Sequence, residues 1–214
     1  METKDFVLGF AAGKAQGGGS SSPWNEQFCV NWDFTNPINT DGGTEYHSTG
    51  AGVETFDGWF VTTNGKVTLT NQGIILEKYN PSGNTGFFVQ GIQSIYADKM
   101  VGLTMTLSVI VDNAVFQKTD IIPARGNGSH GINPGFSDLF FRLYHYPDSG
   151  TWQNMLGVTI DIIGANASNH VIKAMKLECG SQQTIATMVG GVPVLNKSMV
   201  IDEESIKLVS VRTI

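Results

Sequence analysis

The segment FRLYHYPDSGTWQN, residues 141–154, mixes flat aromatic rings with planar hydrogen-bonding groups. Tyr144, Tyr146 and Trp152 offer apolar faces for the CH groups of a sugar ring, while Arg142, Asp148, Gln153 and Asn154 offer partners for its hydroxyls. A saccharide site needs that combination fixed on a rigid scaffold. Arg142, Tyr144, Tyr146, Asp148, Trp152 and Gln153 are therefore the candidate ligand-binding residues, and Asn127, Ser129 and His130 could add polar contacts. Packing of alternate residues into a core explains a subset of the same pattern equally well.

The residues point to binding rather than catalysis. A glycosidase needs two carboxyl groups flanking the scissile bond in one cleft. Here the acidic residues are dispersed, and the densest group, Asp202, Glu203 and Glu204, reads as a solvated turn. No G-x-S-x-G elbow, H-E-x-x-H pair or P-loop occurs. His47, His130, His145 and His170 have no metal-ligand spacing, and no spaced ligand loop for calcium is present. Cys29 and Cys179 lie 150 positions apart without a C-x-x-C pattern, which argues against zinc and against a disulfide-dense scaffold. A single bridge between them is left as an alternative. The expectation is a protein with no enzymatic activity, no metal site and no cofactor, with calcium left as an alternative because oxygen-rich loops are abundant.

Charged residues make up 15% of the 214 residues, against about 25% in an average globular protein, and glycine is enriched. A turn-rich, largely uncharged surface follows. The net charge of −6 comes without any basic block, so nonspecific phosphate binding to nucleic acid has no electrostatic basis. No apolar run reaches the roughly 18 residues of a membrane span.

The elements that must position the candidate site fall into four parts. Residues 1–16 read as a short helix, apolar nearly all round through Phe6, Val7, Leu8, Phe10 and Ala11. Such a helix is usually buried and is marginal alone, so it is expected to dock into a protein partner. A frayed tail is the competing reading; a signal peptide would need a basic start, which Glu2 and Asp5 oppose. Residues 17–26 form a Gly/Ser-rich tether. From residue 27 to 187 the hydrophobic period is two. LTMTLSVIV (103–111) and VTIDI (158–162) alternate most clearly, and strands are also predicted over 28–34, 58–63, 66–70, 73–79, 86–92, 140–145 and 171–178. Asn64-Gly65 has the composition of a two-residue type I′ hairpin. Residues 112–135 have no sustained period and read as a long binding loop. Residues 188–214 suggest a further strand pair or a subunit contact. The predicted fold is all-β: an antiparallel two-sheet jelly-roll β-sandwich with a short N-terminal helical anchor. Trp32, Phe34 and Trp59 are expected in its core.

The runs NWDFTNPINTDGGTEY (31–46), FDGWFVTTNGKVTLTNQGIIL (56–76), LTMTLSV (103–109) and IKAMKLECGSQQTIAT (172–187) together resemble a β-sandwich module of phage and prophage tail proteins of Gram-positive gut bacteria. That module is similar to carbohydrate-binding modules, and the resemblance covers about residues 28 to 187. The sequence departs from the pattern at Gly58, where a basic residue is usual, and at Cys179, where an aliphatic one is. The resemblance implies a virion surface protein of the tail-fibre or receptor-binding type, a homotrimer as virion fibres usually are, binding a host-surface glycan; with the apolar segment and the tether, the expectation is that residues 1–16 hold it to a virion partner. It supplies no catalytic residues. Two alternatives stand beside it: a capsid or tail decoration protein, and a carbohydrate-binding domain of a cellular hydrolase.

Overall fold

The computed structural model describes residues 29, 32–92, 94–147, 155–164 and 169–196. Their elements are, in chain order, β1 (Glu45–His47), β2 (Val53–Glu54), β3 (Phe60–Thr62), β4 (Gly65–Thr70), β5 (Gly73–Lys78), β6 (Gly86–Ile92) and α1 (Ser94–Met100). After the helix come β7 (Thr104–Val111), β8 (Ala114–Ile121), β9 (Gly128–Ile132), β10 (Leu139–His145), β11 (Leu156–Ile162), β12 (Ile172–Cys179), β13 (Ala186–Val189) and β14 (Val192–Leu195). Two six-stranded antiparallel sheets form the body, ordered β1-β4-β5-β12-β7-β8 in sheet A and β2-β3-β6-β11-β10-β9 in sheet B. They share one apolar core, the arrangement of an all-β sandwich. β13 and β14 pair as a separate hairpin.

Aromatic packing dominates the core. Trp59 stacks on Phe88 with ring centroids 5.0 Å apart, and Phe34 stands edge-on to Trp59 at 5.0 Å and to Phe88 at 5.9 Å. Each such pair contributes about 0.5–1.5 kcal/mol beyond its buried area. Trp59 and Phe34 are wholly buried and Trp32 nearly so, in keeping with the expectation from sequence.

Two of the sequence motifs meet at a clamp. Asp57, just before Gly58 and Trp59, is buried with a left-handed backbone (φ 51°). Its carboxylate accepts the backbone N–H of Ile38 (2.9 Å) and of Asn39 (3.1 Å) and the side-chain amide of Asn39 (3.0 Å). The turn after Asn36-Pro37 is thereby tied to the strand that delivers Trp59 to the core. Upstream, the first segment lies against β12. Phe34 N–H donates to the Lys173 carbonyl (2.9 Å), the Met175 N–H donates to the Trp32 carbonyl (3.0 Å), and Asp33 bridges Ala174.

Three expectations from sequence need correction. Residues 112–135 are not one loop, because β8 and β9 occupy most of that stretch as edge strands of the two sheets. An edge strand with solvent on its outer side has little reason to alternate: Gln117, Lys118 and Thr119 are consecutive and exposed. Asn64-Gly65 is not a hairpin turn, since β3 and β4 belong to different sheets. Thr63 takes the left-handed conformation (φ 62°). Asn64 is buried, accepting the Asn80 N–H (2.8 Å) and donating to the carbonyls of Asn80 (2.8 Å) and Asn84 (2.9 Å). Gly65 is needed for clearance, because a Cβ there would meet Val61 Cγ2 at 2.6 Å. The run 103–111 is not half-buried: Thr106 and Ser108 are as covered as Leu107 and Val109. Cys29 and Cys179, whose bridging was left as an alternative, are thiols not joined to each other.

Candidate functional site: the outer face of sheet B

β10 alternates strictly. Leu139, Phe141, Leu143 and His145 are buried, while Phe140, Arg142 and Tyr144 are partly exposed, so period two alone brings the latter onto the outer face. The register then fixes their neighbours. Phe140 faces Asp161 on β11, which faces Phe87 on β6; Arg142 faces Thr159, which faces Val89, which faces Phe60 on β3. Cross-strand neighbours of this kind have Cβ atoms about 4.5–5.5 Å apart. A carboxylate therefore sits in a row between two phenyl rings, with a guanidinium in the next row.

Arg142 reaches diagonally to Asp161. Its Nε lies 3.0 Å from Oδ1 and 2.8 Å from Oδ2, so one nitrogen spans both oxygens. The same guanidinium lies over the Tyr144 ring, 5.1 Å from its centroid, and Tyr144 meets Tyr146 edge-on at 4.6 Å. Burial pushes the Asp161 carboxyl above its ordinary value despite the pull of Arg142. Burial also raises the Tyr146 phenol, against the opposing influence of Arg142 and Thr159. Both shifts mark a partly dry surface.

Glycines seat the large side chains. A Cβ on Gly157 would meet Tyr146 Cε2 at 2.8 Å, one on Gly131 would meet Phe140 Cζ at 1.8 Å, and one on Gly91 would meet Met155 Cε at 1.8 Å. Each ring or thioether lies directly on backbone, the arrangement in which an aromatic covers a strand glycine. Phe140, Tyr144 and Tyr146 all remain partly exposed. The face combines flat apolar surface with a fixed donor–acceptor pair, which is what orients a polyhydroxylated ring.

Of the candidates from sequence, Arg142, Tyr144 and Tyr146 come together here. Asp148, Trp152 and Gln153 lie outside the described residues, as do the anchor residues Phe6, Val7, Leu8, Phe10 and Ala11 and the side chains of Ser129 and His130; Asn127 is exposed just before β9. Sequence reasoning missed Phe60, Phe87, Phe140 and Asp161 as members of the site. The signal was the parity of VTIDI, which turns Asp161 outward, and of GFFVQGI; only the register of β6, β10 and β11 puts them side by side. Among the described residues no group of three or more His, Cys, Asp and Glu is placed to hold a metal ion, and no helix is long and apolar enough to cross a membrane.

No family model, no curated protein and no solved structure matches the chain.

Proposed function

We propose that this protein is a phage virion surface protein of the tail-fibre or receptor-binding type, whose sandwich binds a saccharide of the host envelope through the outer face of sheet B. The observation that carries this reading is the platform of Phe87, Phe140, Tyr144 and Tyr146 around the Arg142–Asp161 pair. Residues 1–16 dock into a virion partner as a helix, residues 17–26 act as the leash, and the molecule works as a homotrimer. The chain crosses between the two sheets repeatedly, which supports a jelly-roll topology. The protein is read as a binding protein, not an enzyme. The test is cosedimentation of the purified protein with host cell envelopes. Binding is expected for the native chain and is expected to be lost when Tyr144 and Tyr146 are both changed to Ala; no sedimentation with any host envelope would refute the reading.

A second reading, a decoration or head-fibre protein that touches only other virion subunits, is favoured by one feature. The β13–β14 hairpin carries no charged residue, and Met188, Val189, Val192 and Val194 on it are each at least half exposed. An apolar ribbon of that kind suits a protein interface.

A further inference from the structure

Resting on the saccharide reading, we infer that the outer face of sheet B takes a neutral glycan and discriminates against anionic ones. The reason is charge compensation within the face. Arg142 is spanned by both oxygens of Asp161, at 2.8 and 3.0 Å, so its positive charge is already answered by a fixed carboxylate. The other partly exposed side chains that the register turns outward on β6, β10 and β11, namely Phe87, Phe140 and Tyr144, carry no charge, and Val89 and Thr159 of the same rows are buried. Glu54, paired with Phe60 at the edge of the same sheet, adds a negative charge. A carboxylate, sulfate or phosphate on the ligand would therefore approach Arg142 only by sharing it with Asp161. The like charge would be disfavoured in a surface already dry enough to shift Asp161. At longer range the net charge of −6 also repels polyanions.

A neutral sugar meets the opposite situation. Arg142 uses its Nε on Asp161, leaving the donors of its terminal nitrogens outside that pair, and each carboxylate oxygen has a further lone pair. One hydroxyl can donate to Asp161 while its vicinal neighbour accepts from Arg142, as the CH side of the ring lies on an aromatic seat. Charge-assisted bonds of this type are the stronger ones.

Asp161→Asn separates the two ligand classes, because it keeps the shape of the side chain while unmasking Arg142. The experiment measures binding of the full chain and of this variant to two panels at low salt: neutral glucans, galactans and mannans, and anionic polygalacturonate, teichoic acid and sialylated glycans. The native chain is expected to bind a neutral glycan and none of the anionic ones. Asp161→Asn should bind the neutral ligand about tenfold more weakly, equivalent to loss of one charge-assisted bond, and should gain binding to the anionic panel. Arg142→Gln, which removes the cation, should lose the neutral ligand without gaining the anionic one. Thermal melting of each variant checks that it folds, and the native panel decides the class even if Asp161→Asn does not. Native binding to an anionic glycan that Tyr144→Ala abolishes would overturn neutral selection and leave the saccharide reading standing. Binding to neither panel sinks both.

Discussion

The outer faces of the two sheets carry the same chemical device in opposite surroundings. On sheet A, Lys176 and Glu178 lie on β12 with Nζ and Oε1 3.2 Å apart, and both are buried. Thr184 closes over them: its N–H donates to Glu178 Oε2 at 2.9 Å, its hydroxyl donates to Glu178 Oε1, and it accepts from Lys176 Nζ at 2.8 Å. Trp32 completes the cover with its ring 4.9 Å below the ammonium. On sheet B the Arg142–Asp161 pair also joins a cation, a carboxylate and an aromatic ring; Thr159 and Val89 beside it are buried, but the pair itself stays partly exposed, Arg142 by 24% and Asp161 by 13% of the side chain. Where neighbours satisfy every group, the pair is a fastening. Where donors and acceptors are left facing water, it is a place for a ligand. Composition alone does not separate the two; burial does.

That contrast gives a ranked set of expectations. Glu178→Ala leaves an uncompensated buried ammonium and should lower stability by roughly 3–5 kcal/mol, whereas Arg142→Ala on the half-open face should lower it by about 1 kcal/mol or less. Urea midpoints of the two variants measure the difference, and equal losses would erase the distinction between the faces. Gly157→Ala drives a methyl into the Tyr146 ring. Overpacking of this kind costs typically about 1–3 kcal/mol; the low end is expected at a surface ring, together with weakened saccharide binding, read by melting and by cosedimentation.

A smaller effect follows pH. The Asp161 carboxyl is raised in the folded protein by burial, so the folded state holds its proton more tightly than the unfolded chain. The stability this confers is complete below the ordinary carboxylate pKa and is lost as pH rises through the raised value. The stability of the native chain relative to Asp161→Asn should therefore fall across that acidic window; a rise would reverse the assigned cause. The smallest effect is chemical. The Cys29 thiol is pushed up to about 12, by burial first, with the Leu177 backbone and Lys176 opposing, and thiolate is the reactive species. Iodoacetamide at mild pH should leave Cys29 unmodified in the folded protein while reaching the half-buried Cys179, as peptide mass mapping would register.

Much of the sandwich is legible in the sequence because its central strands are short apolar runs bounded by turn residues: 86–92 is β6 residue for residue, and 66–70, 73–79, 140–145, 158–162 and 171–178 match β4, β5, β10, β11 and β12 to within two residues at each end. The short edge strands were not legible. β1 and β2 have three and two residues, and Val53 and Glu54 are both exposed, so no periodicity marks them. The lid over sheet A was hidden for a different reason. Thr106 and Ser108 read as solvent-facing from their polarity, yet Thr106 bonds the Gly180 carbonyl at 2.8 Å and lies beneath the segment that brings in Thr184. Long-range coverage of that sort leaves no local pattern. The site shows the same limit: β10 announces Arg142 and Tyr144, but that Asp161 partners Arg142 depends on a register that no single strand contains.

The segment around Asp33 joins the body at β12 of sheet A, beside the fastened face, while the open face lies on the other sheet. Trp32 and Phe34 hold that segment to the Met175 and Lys173 backbone, next to the Lys176–Glu178 pair. With the attachment proposed through the upstream chain, the candidate face lies on the sheet opposite the one that chain joins.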